Sequence, residues 1–251
     1  MHQIIYKGKR YAMAAGWAEC PAGLLGLAAL ARATRLPEDR VRFTIAALEG
    51  RRRLVRLMEP ARLVEATQWI FDETPDLSKA THITVGRKLL LPAADLSNVS
   101  LIEFILADEA FRSYVKGRDT AELLRFLSLV ARPSKKKAEI ASADWDGDAR
   151  VPVNTAHAER QAKALRHMSA EQAALVLLLW EQGLERLQKT FAALYARARQ
   201  SEGSMMELAY DLAGQGTFGS FEQVCKTPVY TVFLHLFYAK KQAEASRKKQ
   251  P

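Results

Sequence analysis

Ser169-Ala170-Glu171-Gln172-Ala173-Ala174-Leu175-Val176-Leu177-Leu178-Leu179-Trp180 is the stretch that decides the fold class. Ser169 is a good helix N-cap, and Glu171 and Gln172 stand in the opening turn, where the free N–H groups favour acceptors. The spacing predicts one long helix that continues as far as Arg199. It is apolar on most sides between Ala173 and Trp180, which places that segment centrally in a bundle or at an oligomer interface. Ala173–Trp180 is also the longest dense apolar run, far short of the roughly 18 residues that cross a bilayer.

Outward from this segment, helical signals dominate. A helix starts near Thr155. Towards the C-terminus, Met205–Leu212 reads as a short helix, Gly214–Gly219 as a loop and Val229–Tyr238 as a last apolar helix. Towards the N-terminus, Asp119–Ala131 carries Leu123, Leu124, Leu127 and Val130 on one stripe and is stopped by Pro133. Before it, Leu101, Ile102, Ile105 and Leu106 follow a start at Ser97 or Asn98, with Asn98 as the expected cap. Earlier helices open at Pro21, at Pro37 with Glu38 and Asp39 in the first turn, and at Pro60, running to Phe71. Extended signals are few. Ile4–Tyr11 flanks a Lys-Gly-Lys turn in which Gly8 supplies the tight bend, and Val85–Leu91 is bounded by Gly86 and Pro92. The expected fold is mainly α, a multi-helix bundle with a small N-terminal β-hairpin. The polar stretch 134–154 reads as a linker or long loop. It separates an α-rich domain with the hairpin, 1–133, from a C-terminal helical domain with a basic tail, 155–251.

Composition fits this architecture. The chain has 251 residues, 49% hydrophobic and 26% charged, enough for a sizeable core. Cys20 and Cys225 lie too far apart to suggest a disulfide framework or a zinc-type pair. Met1–Lys9 has no apolar h-region. The expected location is the cytoplasm, with no membrane partner.

The formal charge is +9. The excess gathers in Arg51, Arg52 and Arg53, with Arg56 just after; in Lys135, Lys136 and Lys137; and in a tail with Lys240, Lys241, Arg247, Lys248 and Lys249 against Glu244. Such clusters can neutralise phosphates and release counterions, so nucleic acid is one partner to weigh. The plainer reading is solvated element ends that keep the protein soluble. No aromatic nucleic-acid motif or zinc-finger spacing accompanies them.

Motifs for small-molecule chemistry are weak. Gly214-Gln215-Gly216-Thr217-Phe218-Gly219 matches G-x-G-x-x-G, but it follows a helix rather than a strand, and only 32 residues remain after it. The plainer reading is a helix end with Gly214 in the left-handed position. Asp144-Trp145-Asp146-Gly147-Asp148 places glycine fourth instead of sixth and has no glutamate at position twelve, so it reads as an exposed acidic turn rather than a calcium loop. His2, His82, His157, His167 and His235 show no spacing of three or four that would share a helix face. Lys226 could lower the pKa of Cys225, although a small buried hydrophobe is the plainer reading. Glu103, Asp108 and Glu109 look like the solvated face of a helix. These patterns imply no catalytic residue, no metal and no cofactor.

Apolar side chains are in surplus for a monomer. Val229, Val232, Phe233, Leu234, Leu236, Phe237 and Tyr238 crowd the last helix, which points to a core helix or to a partner-binding face. The candidate contact residues are Phe233, Leu236 and Phe237, with Trp180 and Leu184 from the long helix. A second copy of the chain is one way to cover them.

Three stretches carry a resemblance. The first is Asn98-Val99-Ser100-Leu101-Ile102-Glu103-Phe104 followed by Asp108. The second is Leu123-Leu124-Arg125-Phe126-Leu127 running into Ala131-Arg132-Pro133. The third is Met206–Gly214 through Phe218-Gly219, then Val224 and Val229–Phe233. In this order the sequence resembles proteins encoded among the tail genes of bacterial phages and prophages, over about Ile4–Tyr238. The resemblance implies a non-enzymatic assembly role, as a tail assembly chaperone or a minor tail or neck component. It implies a phage structural or tape-measure-like protein as partner, and a location in the bacterial host cytoplasm or on the virion.

Overall fold

The structure, a computed structural model, describes residues 2–6, 9–143, 145–198 and 204–247. The expected Lys7-Gly8 turn, Asp144, Arg199, Lys248 and Lys249 lie outside them. In chain order the elements are β1 (His2–Tyr6), β2 (Lys9–Met13), α1 (Leu25–Thr34), α2 (Pro37–Ala47), α3 (Arg52–Arg56), α4 (Pro60–Thr67) and α5 (Trp69–Asp72). There follow β3 (His82–Val85), β4 (Arg87–Leu90), α6 (Leu101–Gly117), α7 (Thr120–Val130), α8 (Lys137–Ile140) and α9 (Thr155–Leu165). The last are α10 (Ala170–Thr190), α11 (Ala192–Ala198), α12 (Met205–Gly214), α13 (Phe221–Lys226) and α14 (Val229–Arg247). The fold is mainly α, with the N-terminal hairpin in place: β1 and β2 pair antiparallel, Ile4 opposite Tyr11. Val85–Leu91 is part of a second hairpin, β3 against β4, with Gly86 at its turn in the left-handed region at φ 65°. No helix among the described residues is long and apolar enough to cross a membrane.

The chain divides into two compact units, Met1–Thr81 with Met168–Leu179, and His82–His167 with Trp180–Pro251. Residues 134–154 therefore lie inside the second unit rather than between two domains. The long helix α10 starts in one unit and ends in the other.

The first unit is centred on aromatic edges. Trp69 meets Trp17 at 5.4 Å and Phe43 at 5.7 Å between ring centroids, both T-shaped, the arrangement that matches ring edge to ring face. Pro60 opens a helix as expected, but the turn after Thr67 breaks it into α4 and α5. Arg32 donates to the carbonyls of Phe71 and Glu73 just past this break. Gly26 lets α1 approach the α10 backbone: a Cβ there would stand 3.0 Å from the Glu171 carbonyl oxygen.

The second unit is built around Trp180. Its ring lies 5.9 Å from Phe104 on α6 and 5.6 Å from Phe126 on α7, and Phe233 of α14 packs on both Phe104 and Phe191. The cap of α6 is Ser100, whose hydroxyl accepts from the Glu103 N–H. Asn98 was the expected cap, but its side-chain oxygen accepts from the Ala93 N–H instead and closes the preceding loop. Asp119 does cap α7, accepting from the Ala121 N–H.

Candidate functional site

Four charged side chains from distant parts of the sequence meet inside the second unit. Glu103 sits on α6, Arg132 two residues past α7, and Asp148 and Arg150 in the stretch before α9. Short backbone pairings put them there. Arg132 exchanges N–H···O bonds with Leu90 of β4, at 2.7 and 3.0 Å. The Pro133–Lys135 segment then pairs with Ala149–Val151 in an isolated antiparallel bridge, through Lys135 N–H to Ala149 O and Val151 N–H to Pro133 O. These bridges aim both guanidinium groups at one point.

Arg150 donates from Nη1 to Glu103 Oε1 at 2.7 Å and from Nη2 to Oε2 at 3.1 Å, a two-pronged contact. Its Nε and Nη2 also reach Asp148, at 3.0 and 2.9 Å. Arg132 Nη2 donates to Glu103 Oε2 at 2.6 Å and to Asp148 Oδ2 at 3.3 Å. Two acids and two guanidinium groups leave the cluster neutral. Glu103 and Arg150 are each 1% exposed. Burial pushes the Glu103 carboxyl above the ordinary range while Arg150 and Arg132 pull it back. Burial opposes the Arg150 charge, but Glu103 and Asp148 outweigh it and hold its pKa above the usual arginine value.

Burial corrects the reading of the α6 carboxylates as a solvated face. Glu103 and Asp108 are buried rather than solvated; only Glu109 of the three carboxylates is exposed. Asp108 is held by Arg112 Nε at 2.7 Å, and burial raises its pKa. The acidic turn is exposed at Asp146, which receives Lys135 Nζ at 2.6 Å, while Asp148 is half-buried and turns inward to the arginines.

The expected contact residues separate into two groups. Trp180 and Phe233 are 0% and 5% exposed and belong to the aromatic core, so they present no face to a partner. Leu184, Leu236 and Phe237 are half-buried. The exposed apolar face of α14 is instead Tyr230, Leu234 and Tyr238, at 38, 38 and 56% exposure and four residues apart. This spacing puts them on one stripe. Because Val229, Val232 and Phe233 fill the opposite side, α14 is apolar on both faces and its pattern does not single out the outer one. The start of the helix is pinned: Val229 N–H donates to Val99 O at 2.8 Å, and Leu101 N–H to Thr227 O at 2.8 Å.

Among the basic residues, Arg51, Arg52 and Arg53 are exposed in the first unit. Lys135, Lys136, Lys137, Lys240 and Lys241 belong to the second. Lys240 Nζ donates to Ala193 O at 2.7 Å, and Lys241 Nζ stands 4.4 Å over the Phe237 ring.

Other candidate features take plainer roles. Gly214 is not in the left-handed region; Gly216 and Gly219 are, at φ 69° and 85°. Cys20 and Cys225 are buried free thiols. Burial pushes Cys20 up to about 11, with a small opposing pull from Lys79, and raises Cys225 as well. Lys226 pairs with Glu222 at 2.6 Å. No three His, Cys, Asp or Glu side chains among the described residues gather closely enough to hold a metal ion.

A cleft of about 940 Å³ lies beside the charge cluster, between the β3–β4 turn, the Val151–Asn154 segment and α9. Arg132 forms part of its wall. No family model matches this chain, and no curated protein or solved structure matches it.

Proposed function

We propose that this protein is a non-enzymatic assembly protein that binds another polypeptide through the outer face of α14, in line with its resemblance to phage tail-region proteins. The observation that carries this reading is the Tyr230–Leu234–Tyr238 stripe. Three large apolar side chains at one helical spacing form a ready seat for an amphipathic helix of a partner. The helix beneath is anchored at its start and backed by Phe191, whose ring meets Tyr230 at 5.2 Å and Phe233 at 5.6 Å. A stripe held this way keeps its shape before a partner arrives, which lowers the ordering cost of binding. A long helical tail protein of the tape-measure kind offers the matching surface.

Co-expression with a long helical protein of the tape-measure kind tests the reading. The intact protein is expected to co-elute with that partner in gel filtration, and the triple variant Y230E/L234E/Y238E to elute alone while keeping its helical circular dichroism. Failure of the intact protein to co-elute, or retention of the complex by the triple variant, overturns it.

A further inference from the structure

The cleft beside the charge cluster has an uneven lining. Its ionisable side chains are Arg87, Arg132, Arg160 and His157, and among the described residues no aspartate or glutamate lines it. Between these stand aliphatic walls from Val85, Val151, Pro152 and Val153. The first turn of α9, which opens from the cleft after the Asn154 cap, holds no acidic residue. So the helix N-terminus adds to the positive potential rather than being neutralised locally.

Arg132 is the most telling member. It is 4% exposed, and its Nη2 is committed to Glu103 and Asp148. Its Nε–H is buried with no acceptor among the described residues. A buried donor left unmade is costly. Arg87 and Arg160 are exposed on the same cleft. Arg87 Nη2 leans on Gln161 Oε1 at 3.4 Å and Arg160 Nε on Ala156 O at 3.3 Å, so both are tethered to α9.

We propose that this cleft binds an acidic peptide segment interleaved with aliphatic side chains. Guanidinium groups match carboxylates in a two-pronged geometry, and the valine and proline walls take the aliphatic residues between them. A bare phosphate would leave those walls unused. Single-stranded nucleic acid binds on aromatic platforms, and among the described residues the only aromatic ring lining this cleft is the His157 imidazole. The proposal stands apart from the α14 face and does not depend on it.

Fluorescence anisotropy with a labelled octapeptide of alternating Glu and Val tests it. At 50 mM salt, saturable binding is expected, weakened at least tenfold when every Glu of the peptide is replaced by Gln.

 The low salt keeps screening weak, so that the charge contacts register fully. The variant R87A/R160A, changed only at exposed positions, is expected to lose at least tenfold in affinity. K136A/K137A, which removes the same charge outside the cleft, is expected to lose less than twofold. No saturable binding, equal binding of the Gln peptide, or equal loss in both variants overturns the proposal. Tighter binding of an eight-nucleotide oligothymidine, or displacement of the peptide by an equal concentration of inorganic phosphate, overturns it in favour of a phosphate site.

Discussion

Glu103 stands in the middle of a helix-forming stretch with a carboxylate that has almost no contact with water. Moving such an ion out of water costs several kcal/mol, and the cost is offset only when the partners are close and hydrogen-bonded on all sides. Arg150 and Arg132 meet that condition, since three guanidinium contacts at 2.6 to 3.1 Å cover both carboxylate oxygens. Removing one partner strands the other charges in the interior. Arg150→Met is therefore expected to lower unfolding stability by about 3–5 kcal/mol. Urea denaturation at pH 7 measures this, and a loss below about 1 kcal/mol would mean that the cluster contributes little. The cluster was not legible in the sequence for a physical reason. Glu103 has the helical spacing of a surface acid, and its partners lie 29 and 47 residues further on. No local window joins Glu103 to either arginine, and the backbone bridges that unite them leave no periodic signal.

Helices with strong local signals were legible. Pro37, Pro60 and Asp119 open helices where turn chemistry predicts, and Gln172 N–H donates to the Ser169 hydroxyl at the start of α10. Where two cap candidates stood close together, tertiary contacts decided between them: Asn98 is taken up by its own loop, and Ser100 caps α6. The outer face of α14 escaped notice because a helix apolar on both sides gives no stripe to read. Gly183 of α10 is another such case, since nothing nearby in the sequence marks it. A Cβ there would stand 2.7 Å from Leu96 Cδ1, and Leu96 is fully buried in a left-handed conformation at φ 59°. Neither side has room to give. Gly183→Ala is expected to cost about 1–3 kcal/mol through overpacking. Adding Leu96→Ala removes the clash, so the double variant is expected to lose less than the sum of the two single losses. A double-mutant cycle by urea denaturation checks this, and strict additivity would show that the two residues do not touch.

At the scale of the whole molecule, the net charge of +9 raises the competing reading of the protein as a nucleic-acid binder. The disposition of the basic side chains weighs against a dedicated interface. Arg51 lies over the Tyr11 ring at 4.7 Å and ion-pairs with Glu49 at 3.6 Å. Lys135 is bound to Asp146, Lys240 to a backbone carbonyl and Lys241 to Phe237. Arg51, Lys135, Lys240 and Lys241 thus have intramolecular partners that a phosphate would have to displace. Each phosphate neutralised on duplex DNA contributes about −0.9 to the slope of log affinity against log salt. Arg52, Arg53, Lys136 and Lys137, the other members of the arginine and lysine triplets, give an expected slope shallower than about −4. A mobility-shift titration on a short duplex is expected to show retardation at low salt that disappears near physiological salt. A slope of about −6 or steeper, with a shift that survives physiological salt, would reassign the basic clusters to a true phosphate-binding surface.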